Sequence, residues 1–85
     1  MKRFNWRKFS TDLKKFRYDH RDSLRVVARE SNVSASTISR IENGKKIEID
    51  HILRLCDYMN NDLHFYVVDL EKAYVEPIKE IQITI

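Results

Sequence analysis

Two short amphipathic segments, residues 23–31 and 35–43, separated by Asn32, Val33 and Ser34, constrain this chain more than any other feature. Ser23 has the side chain of a helix N-cap, and Leu24, Val27 and Ala28 follow it at helical spacing. Ser31 and Asn32 interrupt that pattern after about two turns. Asparagine is the non-glycine residue that best tolerates a left-handed backbone, so Asn32 can reverse the chain sharply. Val33 then anchors the turn, and Ser34 caps a helix running from Ala35 to about Asn43. Gly44 stops it at the position where glycine carries no Cβ penalty.

The remainder of the chain supplies elements for this pair to pack on. Asn5 can cap a helix in which Trp6, Phe9, Leu13 and Phe16 share one face and Arg7, Lys8, Lys14 and Lys15 point outward. That helix fades around residues 18–20, and residues 1–4 precede it as a short arm bearing Lys2 and Arg3. Asp50 is the expected cap of a fourth helix with Ile52, Leu55, Cys56 and Met59 inward, and Asn61 its expected stop. Beyond Asn61 the period changes to two. Leu63, Phe65 and Val67 alternate with His64, Tyr66 and Val68, and Ile81, Ile83 and Ile85 alternate with polar residues, so both stretches predict strands. Pro77 has to lie outside any central ladder. The expected organisation is a helical domain over residues 1–62 and a β-strand tail over residues 63–85.

Composition removes several classes. With 85 residues, one Gly and one Pro, the chain has room for a single core and is not a loop-dominated scaffold. One cysteine, Cys56, excludes an intrachain disulfide framework and a Cys-clustered zinc site. No apolar run approaches the roughly 18–20 residues of a membrane span. The net charge is +3, but it is uneven. Residues 1–29 hold ten basic and three acidic side chains, whereas residues 62–85 hold two and five. One end of the molecule is therefore suited to a polyanion.

The second of the two short helices suggests how a polyanion is met. At about 100° per residue, with Ile38 inward, Ile41 completes the buried stripe. Ser36, Arg40 and Asn43 fall on the opposite face, flanked by Thr37 and Ser39. That face is small, polar and hydrogen-bonding, with a single Arg, and can enter a major groove and read base edges. The two helices and their turn thus make a helix-turn-helix unit. Glu42 lies only about 40° from Ile38, so its carboxylate is expected to be partly buried and to need a partner. Arg17, one turn beyond Leu13, is the best-placed candidate.

The run Ile38-Ser39-Arg40-Ile41-Glu42-Asn43-Gly44, with Phe16-Arg17 upstream and Ile52-Leu53-Arg54-Leu55 downstream, resembles the Cro/phage-repressor (XRE) family of helix-turn-helix proteins. The resemblance covers roughly residues 5–63. It implies a mainly α, four- or five-helix Cro/repressor-like domain, here with a short C-terminal β-strand extension, binding a palindromic operator as a homodimer. It also implies that Arg17 and Glu42 form the family's interhelical ion pair. Carried over residue by residue, it places base reading on Ala35, Ser36, Ser39 and Arg40, and phosphate contacts on Ser34, Thr37, Asn43 and Lys45. Lys46 and Arg25 join the phosphate set on charge and proximity. Leu24 stands where the family often has a phosphate-gripping Gln, and Asn32 where the turn usually has Gly.

Other features carry less. His20, His51 and His64 lack metal-ligand spacing and read as surface or interface residues. Cys56 reads as a buried small hydrophobe, and the glycosylation sequon at Asn32 has no role in a cytoplasmic DNA binder. No cofactor is expected. Strand edges demand partners, so Phe65, Val67, Ile81, Ile83 and Ile85 are the expected dimerisation residues, in a sheet between two chains. The expected function is a regulator, most simply a repressor acting by occupancy in the cytoplasm of a bacterial or phage-infected host. One alternative is the antitoxin of a toxin–antitoxin operon, with a toxin as protein partner. A small ribonuclease-type enzyme is more remote, since no acid–base residues converge in the sequence.

Overall fold

The computed structural model describes residues 2–69. Four α-helices form: α1 (Trp6–Asp19), α2 (Leu24–Ser31), α3 (Ala35–Glu42) and α4 (Ile49–Met59). A 3-10 turn, Leu63–Tyr66, follows α4. Two short strands, β1 (Lys2–Phe4) and β2 (Val67–Asp69), pair antiparallel, with Lys2 opposite Asp69 and Phe4 opposite Val67. The architecture is mainly helical, with four helices among the described residues.

Side-chain caps begin the first three helices. Asn5 Oδ1 accepts the Lys8 N–H (3.0 Å), Ser23 Oγ that of Val26 (3.2 Å) and Ser34 Oγ that of Thr37 (3.2 Å). Each satisfies a donor that the first helical turn leaves without an intrahelical partner. Asn32 ends α2 in the left-handed conformation, φ 60°, as its short polar side chain allows. The helical stripes then converge: Phe9 and Leu13 of α1, Val27 of α2, Ile38 and Ile41 of α3, and Ile52, Leu55, Cys56 and Met59 of α4 join Val33 and Tyr66 in one core. Trp6, Phe16 and Leu24 pack on its rim.

Several expectations are corrected. Residues 63–66 are a 3-10 turn, not the start of a strand. Asp62 accepts the His64 N–H (2.9 Å), and the turn drives Tyr66 into the core, where its hydroxyl donates to Asp12 Oδ2 (3.0 Å) and accepts from Asn61 Nδ2 (2.9 Å). A buried tyrosine needs such partners. The N-terminal arm is a strand because Phe4 packs edge-on against Trp6 and Phe9, with centroids 4.7 and 5.4 Å away, and Asn5 N–H donates to the Tyr66 carbonyl at 2.7 Å. Glu48, not Asp50, occupies the cap position of α4 and makes no side-chain cap bond. Ile47 before it and Ile52 after it both join the core, so a hydrophobic staple sets the helix start. Asn60, φ 57°, is the left-handed stop, one residue before Asn61. The expected strand through Ile81, Ile83 and Ile85 lies outside the described residues.

Candidate nucleic-acid interface

Helix α3 turns its Ile38 and Ile41 side chains into the core and leaves Ser36, Arg40 and Asn43 exposed, with Ala35 and Ser39 half-buried beside them. These five share the outward face, which carries no acidic side chain. Thr37 departs from the expected pattern. It is only 5% exposed, and its hydroxyl accepts the Ser34 O–H at 2.8 Å, so it ties the cap to the helix rather than presenting a free hydroxyl outward. The Asn43 side-chain Nδ2 donates back to the Ser39 carbonyl (2.8 Å).

The exit from α3 is a fixed piece of backbone. Gly44, φ 82°, donates to the Ile41 carbonyl (3.0 Å), and the Lys45 N–H reaches back to the Arg40 carbonyl (2.9 Å). This Schellman arrangement uses up carbonyls the helix end leaves open, and it holds the Lys45 backbone against the end of α3. Lys45 and Lys46 are exposed. A concavity of about 350 Å³ adjoins them, lined by Thr37, Arg40, Lys46, Ile47, Glu48 and His51. The His51 Nδ1 is buried there without a hydrogen-bond partner among the described residues.

A charged brace holds the pair of helices on α1. Arg17 Nε donates to Glu42 Oε2 (2.7 Å) and Nη2 to Oε1 (2.8 Å), a two-point pair whose side chains are 12% and 8% exposed. The same guanidinium donates through Nη1 to the Asp22 carbonyl (3.2 Å), and the Tyr58 phenol donates to the Asp22 carboxylate (2.6 Å). Hydrogen bonding to Glu42 is the main cause holding the Arg17 pKa above its ordinary value. Burial, helped by the bond to Asp22, raises that of Tyr58. Arg17, Asp22, Glu42 and Tyr58 therefore link α1, the start of the helix pair, α3 and α4. Arg54 adds a contact that helical periodicity did not single out: its Nη1 donates to the Asn32 carbonyl (3.1 Å), bracing the tight turn from α4.

The other expected site residues scatter. Ser34 is engaged as a cap, and Arg25 is exposed in the first turn of α2. Leu24, at the start of α2, packs on the core rather than facing outward. Val67 pairs with Phe4 of its own chain in the β1–β2 ribbon. Phe65 is not in a strand. It lies in the 3-10 turn, 57% exposed, with the Lys8 ammonium 4.6 Å from its ring centroid. Burial pushes the Cys56 thiol up to about 11, as expected of an inert core cysteine.

Compared with known proteins, residues 13–65 match the model of the helix-turn-helix family, a span running from Leu13 in α1 to Phe65 in the 3-10 turn. The chain belongs to that family, in its Cro/repressor (XRE) branch. No curated protein and no solved structure matches it. It is a DNA-binding protein of the transcription-regulator kind, in a family of DNA-binding domains rather than enzymes. No helix among the described residues is long and apolar enough to cross a membrane.

Proposed function

We propose that the chain is a sequence-specific repressor that binds a palindromic operator as a homodimer and blocks transcription of its own or a neighbouring operon by occupancy. The observation that carries this reading is the outward face of α3, small and hydrogen-bonding, with Arg40 central and no acid to repel DNA. Arg40 is suited to a bidentate contact with guanine, while Ser36, Ser39 and Ala35 face neighbouring base edges. Ser34, Asn43, Lys45, Lys46 and Arg25 surround that face and supply phosphate contacts, which set orientation rather than sequence. Thr37 supports them through Ser34.

Dimerisation is supported by the β1–β2 ribbon, which has two strands among the described residues, since a ribbon of two short strands gains stability by joining a larger sheet. The alternation of Ile81, Ile83 and Ile85 fits a tail that pairs between two copies. Footprinting on the DNA flanking the gene tests the whole reading. The expected result is a protected palindrome whose half-site centres lie about 34 Å apart, one helical turn. Uniform weak binding without a protected site would overturn it.

A second reading, the antitoxin, is favoured by a different surface. A concavity of about 660 Å³ is lined by Leu53, Asp57, Asp62 and Leu63 among others, with no residue of α2 or α3. Two leucines beside two aspartates suit a basic, partly apolar segment of a protein partner, and co-purification with the product of an adjacent gene would favour it.

A further inference from the structure

The cations of α1 fall into two groups. Lys8 Nζ reaches Asp12 Oδ2 (3.3 Å) and Lys15 Nζ reaches Asp19 Oδ2 (2.6 Å), each one turn on, while Arg17 is taken by Glu42. Arg7 and Lys14 are exposed, and neither forms an ion pair among the described residues. At about 100° per residue, Lys8, Asp12, Lys15 and Asp19 lie within about 60° of one another on one flank of the helix. Arg7, Thr11, Lys14 and Tyr18 lie within about 60° on the other.

The two flanks adjoin different elements. On the neutralised flank, Asp12 receives the Tyr66 hydroxyl and Lys8 covers Phe65, so that side faces the 3-10 turn. The unneutralised flank lies beside Arg17, whose partner Glu42 is the last residue of α3. A concavity of about 560 Å³ joins them: Ser10, Thr11, Lys14 and Tyr18 line it together with Glu42 and the paired Lys15 and Asp19. Tyr18 is 59% exposed, and the Arg17 guanidinium lies over its ring at 4.6 Å. Cations, hydroxyls and a phenol thus form a row along α1 that runs to the C-terminal end of the recognition helix. Each nearby acid is already taken by a cation, Asp12 by Lys8, Asp19 by Lys15 and Glu42 by Arg17.

We propose that this row, centred on Arg7 and Lys14 with Thr11 and Tyr18, is a second phosphate-contacting strip, taking the sugar–phosphate backbone that borders the groove α3 enters. It rests on the reading of α3 as the groove-entering helix and extends the footprint beyond the helix pair. Unpaired, solvated cations beside hydroxyl donors are what a backbone contact needs, because neutralising phosphates releases their condensed counterions. Such contacts carry no base preference, so the strip strengthens binding to every sequence.

The test compares two double variants of equal charge, R7A/K14A and K8A/K15A, titrated with operator and random duplexes across a salt series. Two lost phosphate contacts should make the salt slope of R7A/K14A shallower by about 1.8 on both DNAs, and its deficit against the parent should shrink about tenfold between about 50 and 200 mM salt. K8A/K15A should change the slope by much less, since its lysines are already paired with Asp12 and Asp19. Equal slopes for the two variants would reduce the effect to net charge and overturn the strip. An unchanged R7A/K14A slope, with lost capture of a co-purifying protein, would make the flank a protein-docking surface instead. Both side chains are exposed, so the variants should melt with the parent; R7Q/K14Q repeats the measurement if R7A/K14A does not. A parent that fails to bind duplex DNA would overturn the reading of α3 itself, a result distinct from failure of the strip.

Discussion

The Arg17 guanidinium and the Glu42 carboxylate, 25 positions apart in sequence, meet in two parallel hydrogen bonds of 2.7 and 2.8 Å at the junction of α1 and α3. Both side chains are largely shielded from water, so neither charge can be left alone cheaply. Arg17→Ala should therefore destabilise the fold by about 3–5 kcal/mol, chiefly because Glu42 would stay buried without its partner. Replacing both with apolar residues of similar volume should recover much of that loss. Urea unfolding of the two variants decides it, and a single variant as stable as the parent would show the pair to be solvated.

Arg40→Ala should weaken binding to the best site by about 1–3 kcal/mol and relax preference at one base position. Arg40 is exposed at the middle of the outward face. Competition between the operator and single-base variants reads the effect. Equal losses on operator and random DNA would assign Arg40 to phosphate.

Lys45→Ala should weaken binding to all duplexes alike and make the salt slope shallower by about one unit. Its main chain is held by the bond to the Arg40 carbonyl, so the change removes a charge without moving the loop. A salt titration that superimposes on the parent's would take Lys45 out of the phosphate set.

Gly44→Ala tests the helix exit. A Cβ there would meet nothing within 4 Å, so the cost is conformational, set by φ 82°. About 1–2 kcal/mol of destabilisation is expected. Gly44→Asn should lose less, because asparagine tolerates this backbone region better. Thermal melts of the two variants should differ in that order; equal melts would mean the exit relaxes out of the left-handed region.

Deleting residues 78–85 should convert a dimer to a monomer that keeps its helical circular dichroism and loses most of its affinity for a palindrome. Each half-site would then bind alone, without the second recognition helix held about 34 Å away. Light scattering that still reports a dimer would move the contact onto residues 1–77.

Features set by neighbours in the chain were legible in the sequence. Asn5, Ser23 and Ser34 cap their helices, Asn32 and Gly44 turn left-handed, and Ile38 and Ile41 face inward, because each outcome depends on residues within one or two turns. The outward set of Ser36, Arg40 and Asn43 follows from the same period. Tertiary contacts decided the rest. Leu63, Phe65 and Val67 alternate as a strand would, yet Tyr66 between them has its hydroxyl partner on Asp12, 54 residues away, and that contact goes with a tight turn. Residues 2–4 carry no strand signal long enough to read, and they become β1 only because Val67–Asp69 lies opposite and Phe4 fits against Trp6 and Phe9. Sorting the α1 cations into paired and unpaired flanks needed both levels. Spacing places Lys8 beside Asp12 and Lys15 beside Asp19, but which flank faces the recognition helix depends on where Arg17 meets Glu42. Short-range periodicity sets the direction of each side chain relative to its own helix. What that direction faces is set by packing between segments distant in the chain, whose free energy no local pattern encodes.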